Sequence, residues 1–153
     1  MSTTGLSVFD KTLHTTNIWL GEIMHDIGPD RDLAWKVLSV VLHKLRDRLP
    51  IALVAHFGAQ LPLIVRGAFY NQFEPEQLPS DCHSADAFVE DVQGLLRDNR
   101  GVDARDAIAS VFGVLSRHLS HGQIEKVRHA LPASIRSLWP ESMLAEGIEV
   151  ALE

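Results

Sequence analysis

Eight histidines, one cysteine and a Leu-Pro-x-x-x-Arg element written twice are the residues of this 153-residue chain whose types and spacing could do chemistry. A metal site needs neutral imidazoles converging on one point, usually two at i and i+4 of a helix plus a third ligand. His14 and His25 share a helical face, yet eleven residues of helix separate them by about 16 Å. His118 and His121 stand three apart, with a helix break expected at Ser120 between them. Asp81, Cys82 and His83 form a small mixed cluster, while His43, His56 and His129 stand alone. These spacings read as scattered surface histidines; a histidine metal site is the lesser alternative, and neither a metal ligand nor a cofactor is assigned.

Cys82 would act as a nucleophile only if a base lowered its pKa. His83 is its neighbour in the chain, but adjacent side chains seldom have hydrogen-bonding geometry, and no glycine-rich nucleophile turn accompanies the pair. It reads as a bystander thiol. Arg66 and Arg136 end the two Leu-Pro-x-x-x-Arg elements and are the more telling polar pair. Their planar guanidinium groups either staple a helix down, with Asp47 and Glu125 as carboxylate partners, or face an anion near a pseudo-twofold axis. Acids such as Asp26, Asp30, Asp32, Glu90, Asp91 and Asp106 are spread without selecting a pair, and no phosphate-binding glycine pattern occurs. Arg97, Arg100 and Arg105 are interleaved with Asp98 and Asp103, a poor footprint for nucleic acid. No catalytic residue is assigned, which argues against an enzyme.

The elements that must position these residues come in two copies. Shifted by 70 positions without a gap, residues 34–69 and 104–139 share Ala34/Ala104, Val41/Val111, Leu45/Leu115, Leu49/Leu119, Leu61/Leu131, Pro62/Pro132 and Arg66/Arg136. Composition alone gives about two to three identities over such a length. None of the histidines repeats: His43 meets Gly113, His56 meets Lys126, and His129 meets Ala59. A repeat fixes architecture before chemistry. Ala34, Leu38, Val41, Leu42, Leu45 and Leu49 recur at three- and four-residue spacing, as do Ala104, Ile108, Val111, Phe112, Leu115 and Leu119, so each unit predicts one long amphipathic helix.

Helix boundaries follow from the punctuation. Gly28-Pro29-Asp30 and Gly101-Val102-Asp103 precede the long helices. Pro50 and Ser120 start short helices over about 51–60 and 121–130, with Ser120 and Gln123 spaced as a capping box. Pro62 and Pro132 begin a further helix. Each unit has a leading helix, the first containing Phe9, Leu13, Trp19, Leu20, Ile23, Met24 and Ile27 and the second, shorter, containing Phe88, Val92, Leu95 and Leu96. The expected organisation is all-α: unit 1 over 6–73, a linker over 74–84, unit 2 over 85–140 and a C-terminal amphipathic helix over 141–153, each unit holding about four helices. Leu144, Ile148 and Leu152 form one face of that last segment.

Composition bounds the rest. Hydrophobic residues at 46% and charged residues at 22% are ordinary globular values. A net charge of −6 repels phosphate backbones and anionic membrane surfaces. No run of 18 apolar residues occurs, a lone cysteine forms no internal disulfide, and no secretory pattern opens the chain. The expectation is a soluble, cytoplasmic protein without nucleic-acid or membrane partners.

The run from Val37 to Pro50, followed by Ala55-His56-Phe57-Gly58-Ala59-Gln60-Leu61-Pro62 and Val65-Arg66-Gly67-Ala68-Phe69-Tyr70, resembles the bacterial family called domain of unknown function 2267. The second half resembles it through Val114-Leu115-Ser116-Arg117-His118-Leu119-Ser120, Val127-Arg128-His129-Ala130-Leu131-Pro132 and Leu138-Trp139-Pro140. One departure is Phe69-Tyr70-Asn71-Gln72-Phe73, where relatives often show two tyrosines and a tryptophan. The resemblance implies a soluble helical bacterial protein and no activity.

Three functional readings follow. The first is a non-enzymatic protein-interaction or regulatory module, contacting a protein partner or a second copy through Leu144, Ile148 and Leu152. The second is a small-molecule or anion sensor with a pocket between the units, lined by Trp19, Trp35, Arg66 and Arg136. The third is a metal-binding protein that uses its histidines.

Overall fold

Short polar side chains and prolines set the helix starts. The computed structural model describes residues 3–77, 84–99 and 101–140. Among them are eight α-helices, one 3-10 turn and no strand, so the protein is all-α. The helices are α1 Ser7–Ile27, α2 Arg31–Arg46, α3 Ile51–Gln60, α4 Leu63–Tyr70, α5 Ala85–Leu95, α6 Ala104–His118, α7 His121–Ala130 and α8 Ala133–Arg136. The turn is Pro75–Gln77. Cys82, His83, Leu144, Ile148 and Leu152 lie outside the described residues. Among the described residues, no helix is long and apolar enough to cross a membrane.

The caps are made as the sequence writes them. Asp30 accepts from the Leu33 amide at 3.1 Å, Asp103 from Arg105 and Asp106 at 2.8 and 3.2 Å, and Ser84 from Ala87 at 3.0 Å. Each satisfies amides left unpaired in a first turn. Ser120 likewise accepts from the Gln123 amide at 3.2 Å. The capping box is only half made, because the Gln123 side chain turns away and accepts from Gln60 on α3 at 3.3 Å. Pro62 and Pro132 sit one position before their helices rather than inside them, each with φ −54°. A residue without an amide proton leaves nothing unsatisfied there. Gly28, at φ 124°, ends α1 in a conformation that a side chain would disfavour.

The centre of the fold is the pair α2 and α6. Helix α2 packs on α1, α4, α5 and α6, while α6 packs on α1, α2, α5 and α7. The two periodic stripes supply the core: Leu38, Val41, Leu42 and Leu45 from α2 face Ile108, Val111, Phe112 and Leu115 from α6, all buried. Burying each such side chain contributes about 1.5–3 kcal/mol. The short helices α3 and α7 have equal lengths, start 70 residues apart and lie against each other. Gly58 of α3 is held tightly: a Cβ there would sit 2.5 Å from the Tyr70 hydroxyl, which donates to the Val54 carbonyl at 3.3 Å.

Helix α1 is the outlier, with 21 residues against 11 in α5. Its C-terminal half buries Trp19, Leu20 and Ile23. Its first half buries Thr12 and Thr16, Thr12 accepting from the Ile64 amide of α4 at 3.1 Å, while Leu6, Val8, Phe9 and Leu13 at and around its start are between 38% and 55% exposed.

Candidate functional site

At the two Leu-Pro-x-x-x-Arg corners both arginines act alike. Leu61 ends α3 in extended backbone, Pro62 fixes the turn, and one turn into α4 the Arg66 side chain folds back over the end of α3. Its Nε donates to the Gly58 carbonyl at 3.0 Å, and one terminal nitrogen donates to Ala59 and Leu61 at 3.0 and 3.1 Å. Arg136 repeats the arrangement 70 residues later, donating to Arg128 at 3.0 Å and to Leu131 at 3.1 Å. Both guanidinium groups therefore cap the C-terminal carbonyls of a preceding helix, sharing Gly58 and Arg128 with the Leu61 and Leu131 amides, where a cation also complements the helix dipole. The expected carboxylate partners are engaged elsewhere: Asp47 with Arg46 at 2.9 Å and Glu125 with Arg128 at 2.7 Å. The difference arises because helix-end carbonyls lie closer to the folded-back side chain than any acid does.

Trp19 faces α6, whereas Trp35 lines the space between α2 and α4. Trp19 is 1% exposed and stacks on His118 of α6, ring centroids 5.5 Å apart. His118 Nε2 contacts one oxygen of Glu22, and Arg117 Nε donates to the other at 2.5 Å. Ser110 donates to Asp26 at 2.7 Å, so a polar seam runs along the α1–α6 junction. Burial pushes the Glu22 carboxyl up, but the hydrogen bonds and charges of His118 and Arg117 outweigh it and hold the group below its ordinary value of 4.5. A depressed folded-state pKa contributes stability that is present above the unfolded value and lost as pH falls through the folded one. The expected result is a wild-type advantage over Glu22→Gln near neutral pH that shrinks on acidification below about pH 4.5. Urea midpoints across pH 3–7 measure it, and parallel profiles for the two proteins would rule it out.

Trp35 opens onto a groove between α2 and α4. Trp35, Ser39 and His43 follow one another at i, i+4 and i+8 along α2, and Ile64, Gly67, Ala68 and Asn71 face them from α4 and its end. The space between holds about 310 Å³. His43 Nε2 donates to the Ala68 carbonyl at 2.6 Å, since a carbonyl can only accept. In the neutral ring Nδ1 is then a bare acceptor. Buried Arg46 fixes the far end, donating from one nitrogen to the Phe69 and Asn71 carbonyls at 2.7 and 2.9 Å while lying over the Phe73 ring. Gly67 keeps the floor open, as a Cβ built there meets nothing within 4 Å.

The histidines are not uniformly scattered. His14, His25, His56 and His121 are exposed, but His43 and His118 are built into the α2–α4 and α1–α6 contacts. Among the described residues, no three His, Cys, Asp or Glu side chains are placed to hold a metal ion. Arg46 and Arg48 are buried arginines that the sequence reading passed over. Arg48 pairs with Asp91 at 2.8 Å and lies 5.0 Å from the Phe88 ring centre, tying α2 to α5. In the sequence His43 reads as a lone histidine, and the Trp35-Ser39-His43 spacing on one helix face is the signal that joins it to the groove.

A protein-family model described as uncharacterized conserved protein (DUF2267) matches residues 16–138. No curated protein matches the chain.

Proposed function

The chain belongs to the DUF2267 family of uncharacterized conserved proteins, and from that premise we propose that it is a non-enzymatic helical interaction module built from two duplicated units. The duplication is supported by the equal bounds of α3 and α7 at a 70-residue shift and by the matching carbonyl bonds of Arg66 and Arg136. The observation that carries the interaction role is the set of exposed apolar side chains at the start of α1. Leu6, Phe9 and Leu13 lie on one outward side of the helix, with Val8 exposed nearby, while the opposite side is held on the body through Thr12.

A patch of four side chains falls well short of the ~800 Å² per partner that a stable dimer buries. It suits a reversible contact with an amphipathic helix of another protein. The net charge of −6 favours a partner whose polar flanks are basic. Leu144, Ile148 and Leu152 are proposed as a second contact stripe, and deleting residues 141–153 is expected to leave the core folded.

A photoreactive benzoylphenylalanine placed at position 9 tests the reading in living cells, with the same group at exposed Lys126 as control. Adducts of one defined mass at position 9 only, lost when Leu13→Glu is added, are the expected outcome. An adduct of twice the chain's own mass would move the contact to a second copy, and equal labelling at Lys126 would defeat the proposal.

A further inference from the structure

The α2–α4 groove has a chemistry of its own, apart from the exposed side chains at the start of α1. Its two ends differ. At one end the Trp35 indole and the Ile64 side chain offer apolar walls across an open Gly67 floor. At the other, Ser39, His43 and Asn71 offer hydrogen-bonding groups. The Ser39 hydroxyl and the Asn71 side-chain amide make no hydrogen bond to the described residues, whereas His43 Nε2 and the Asn71 carbonyl are each held in place. The polar end is thus positioned by the fold but not consumed by it, as a preorganised site requires.

No lysine, arginine, aspartate or glutamate lines the groove. An ionic ligand would lose hydration there without gaining a counter-charge. We propose that the groove binds a small, neutral, planar aromatic molecule bearing an amide or hydroxyl group. The ring lies between Trp35 and Ile64, and its polar end reaches Ser39, His43 and Asn71. An amide satisfies that end on both counts, giving a donor to the bare His43 Nδ1 and exchanging hydrogen bonds with the Asn71 amide. A cavity of about 310 Å³ is at the small end of ligand sites, which fits a single-ring compound. The aligned positions of the second unit, Arg105, Ala109 and Gly113, keep none of the three α2 groups. The site therefore belongs to the first unit alone.

Benzamide, benzoate and toluene are the probes, matched in shape and differing in charge and polarity. Nitrogen–proton correlation spectra of the full chain are followed during titration, together with tryptophan fluorescence. Trp35 is the right reporter because Trp19 and Trp139 are 1% and 2% exposed. Benzamide is expected to shift Trp35, Ser39, Gly67 and Asn71, with an affinity at least tenfold above that of benzoate or toluene. Gly67→Leu, whose Cβ meets nothing within 4 Å, should fold normally while its side chain abolishes the shifts. Ser39→Ala combined with an alanine at Asn71 should lower benzamide affinity about tenfold and leave toluene unchanged. Equal binding of all three probes, shifts outside the groove, or shifts that survive in Gly67→Leu would each overturn the proposal.

Discussion

Replacing Arg66 by alanine lowers stability by about 2–4 kcal/mol, and replacing Arg136 costs about 2–3 kcal/mol. Arg66 holds three carbonyls and Arg136 two, all at the ends of helices that pack on one another. Hydrogen bonds from a charged donor contribute more than neutral ones, and both side chains are half-buried, so solvent removes part of the effect. Each kcal/mol moves the midpoint of a domain this size by about 2–4 °C, which gives a fall of roughly 5–15 °C in thermal unfolding followed by circular dichroism. Lysine should rescue little, because a single ammonium cannot present the fork that spans separate carbonyls. An unchanged midpoint in either alanine variant would remove the corner-capping role and return the pair to an anion-binding reading.

The second large effect lies three residues beyond Arg136. Trp139→Ala is expected to cost about 4 kcal/mol, near the middle of the range for deleting a buried aromatic side chain. Trp139 is 2% exposed, stacks on Phe112 with ring centres 4.1 Å apart, and donates from its indole nitrogen to the Ser116 hydroxyl at 2.7 Å. The truncation leaves both a cavity and an unpaired hydroxyl against α6. Urea denaturation measures it directly, and Trp139→Phe, which keeps the stack and loses the hydrogen bond, should cost less than half as much. A loss below 1 kcal/mol in the alanine variant would mean that α8 contributes little to the core.

What the sequence made legible was local. The caps at Asp30, Asp103 and Ser120 and the breaks before Leu63 and Ala133 depend on residues within a few positions, and the helices formed there. The periodic stripes of α2 and α6 announced their buried faces for the same reason. Partnerships across the fold were not legible. Arg66 reaches eight residues back to a carbonyl, a target that exists only once α3 has ended. Glu22 and His118 are 96 residues apart and meet because α1 packs on α6. The groove needs α4 to lie beside α2, so Trp35 and His43 stand out only by type in the sequence, and nothing there joins them to Ser39 or Asn71. Phe9 and Leu13 carried the wrong signal: their apolar spacing reads as a core stripe, yet the buried stripe of α1 runs through Thr12, Thr16, Trp19, Leu20 and Ile23 and leaves them on the outer side.

The long reach of α1 also bears on how the protein is made. Its buried face docks on α6, and Glu22 finds Arg117 only after 95 more residues have been added. At translation rates of about 5–20 residues per second, the ribosome takes roughly 5–20 s to deliver that partner. Throughout that wait the faces carrying Trp19, Leu20 and Ile23 have no α6 to cover them. Helices α2 and α4, made sooner, cover α1 in part, and the rest of its apolar face is sheltered only when the second half arrives.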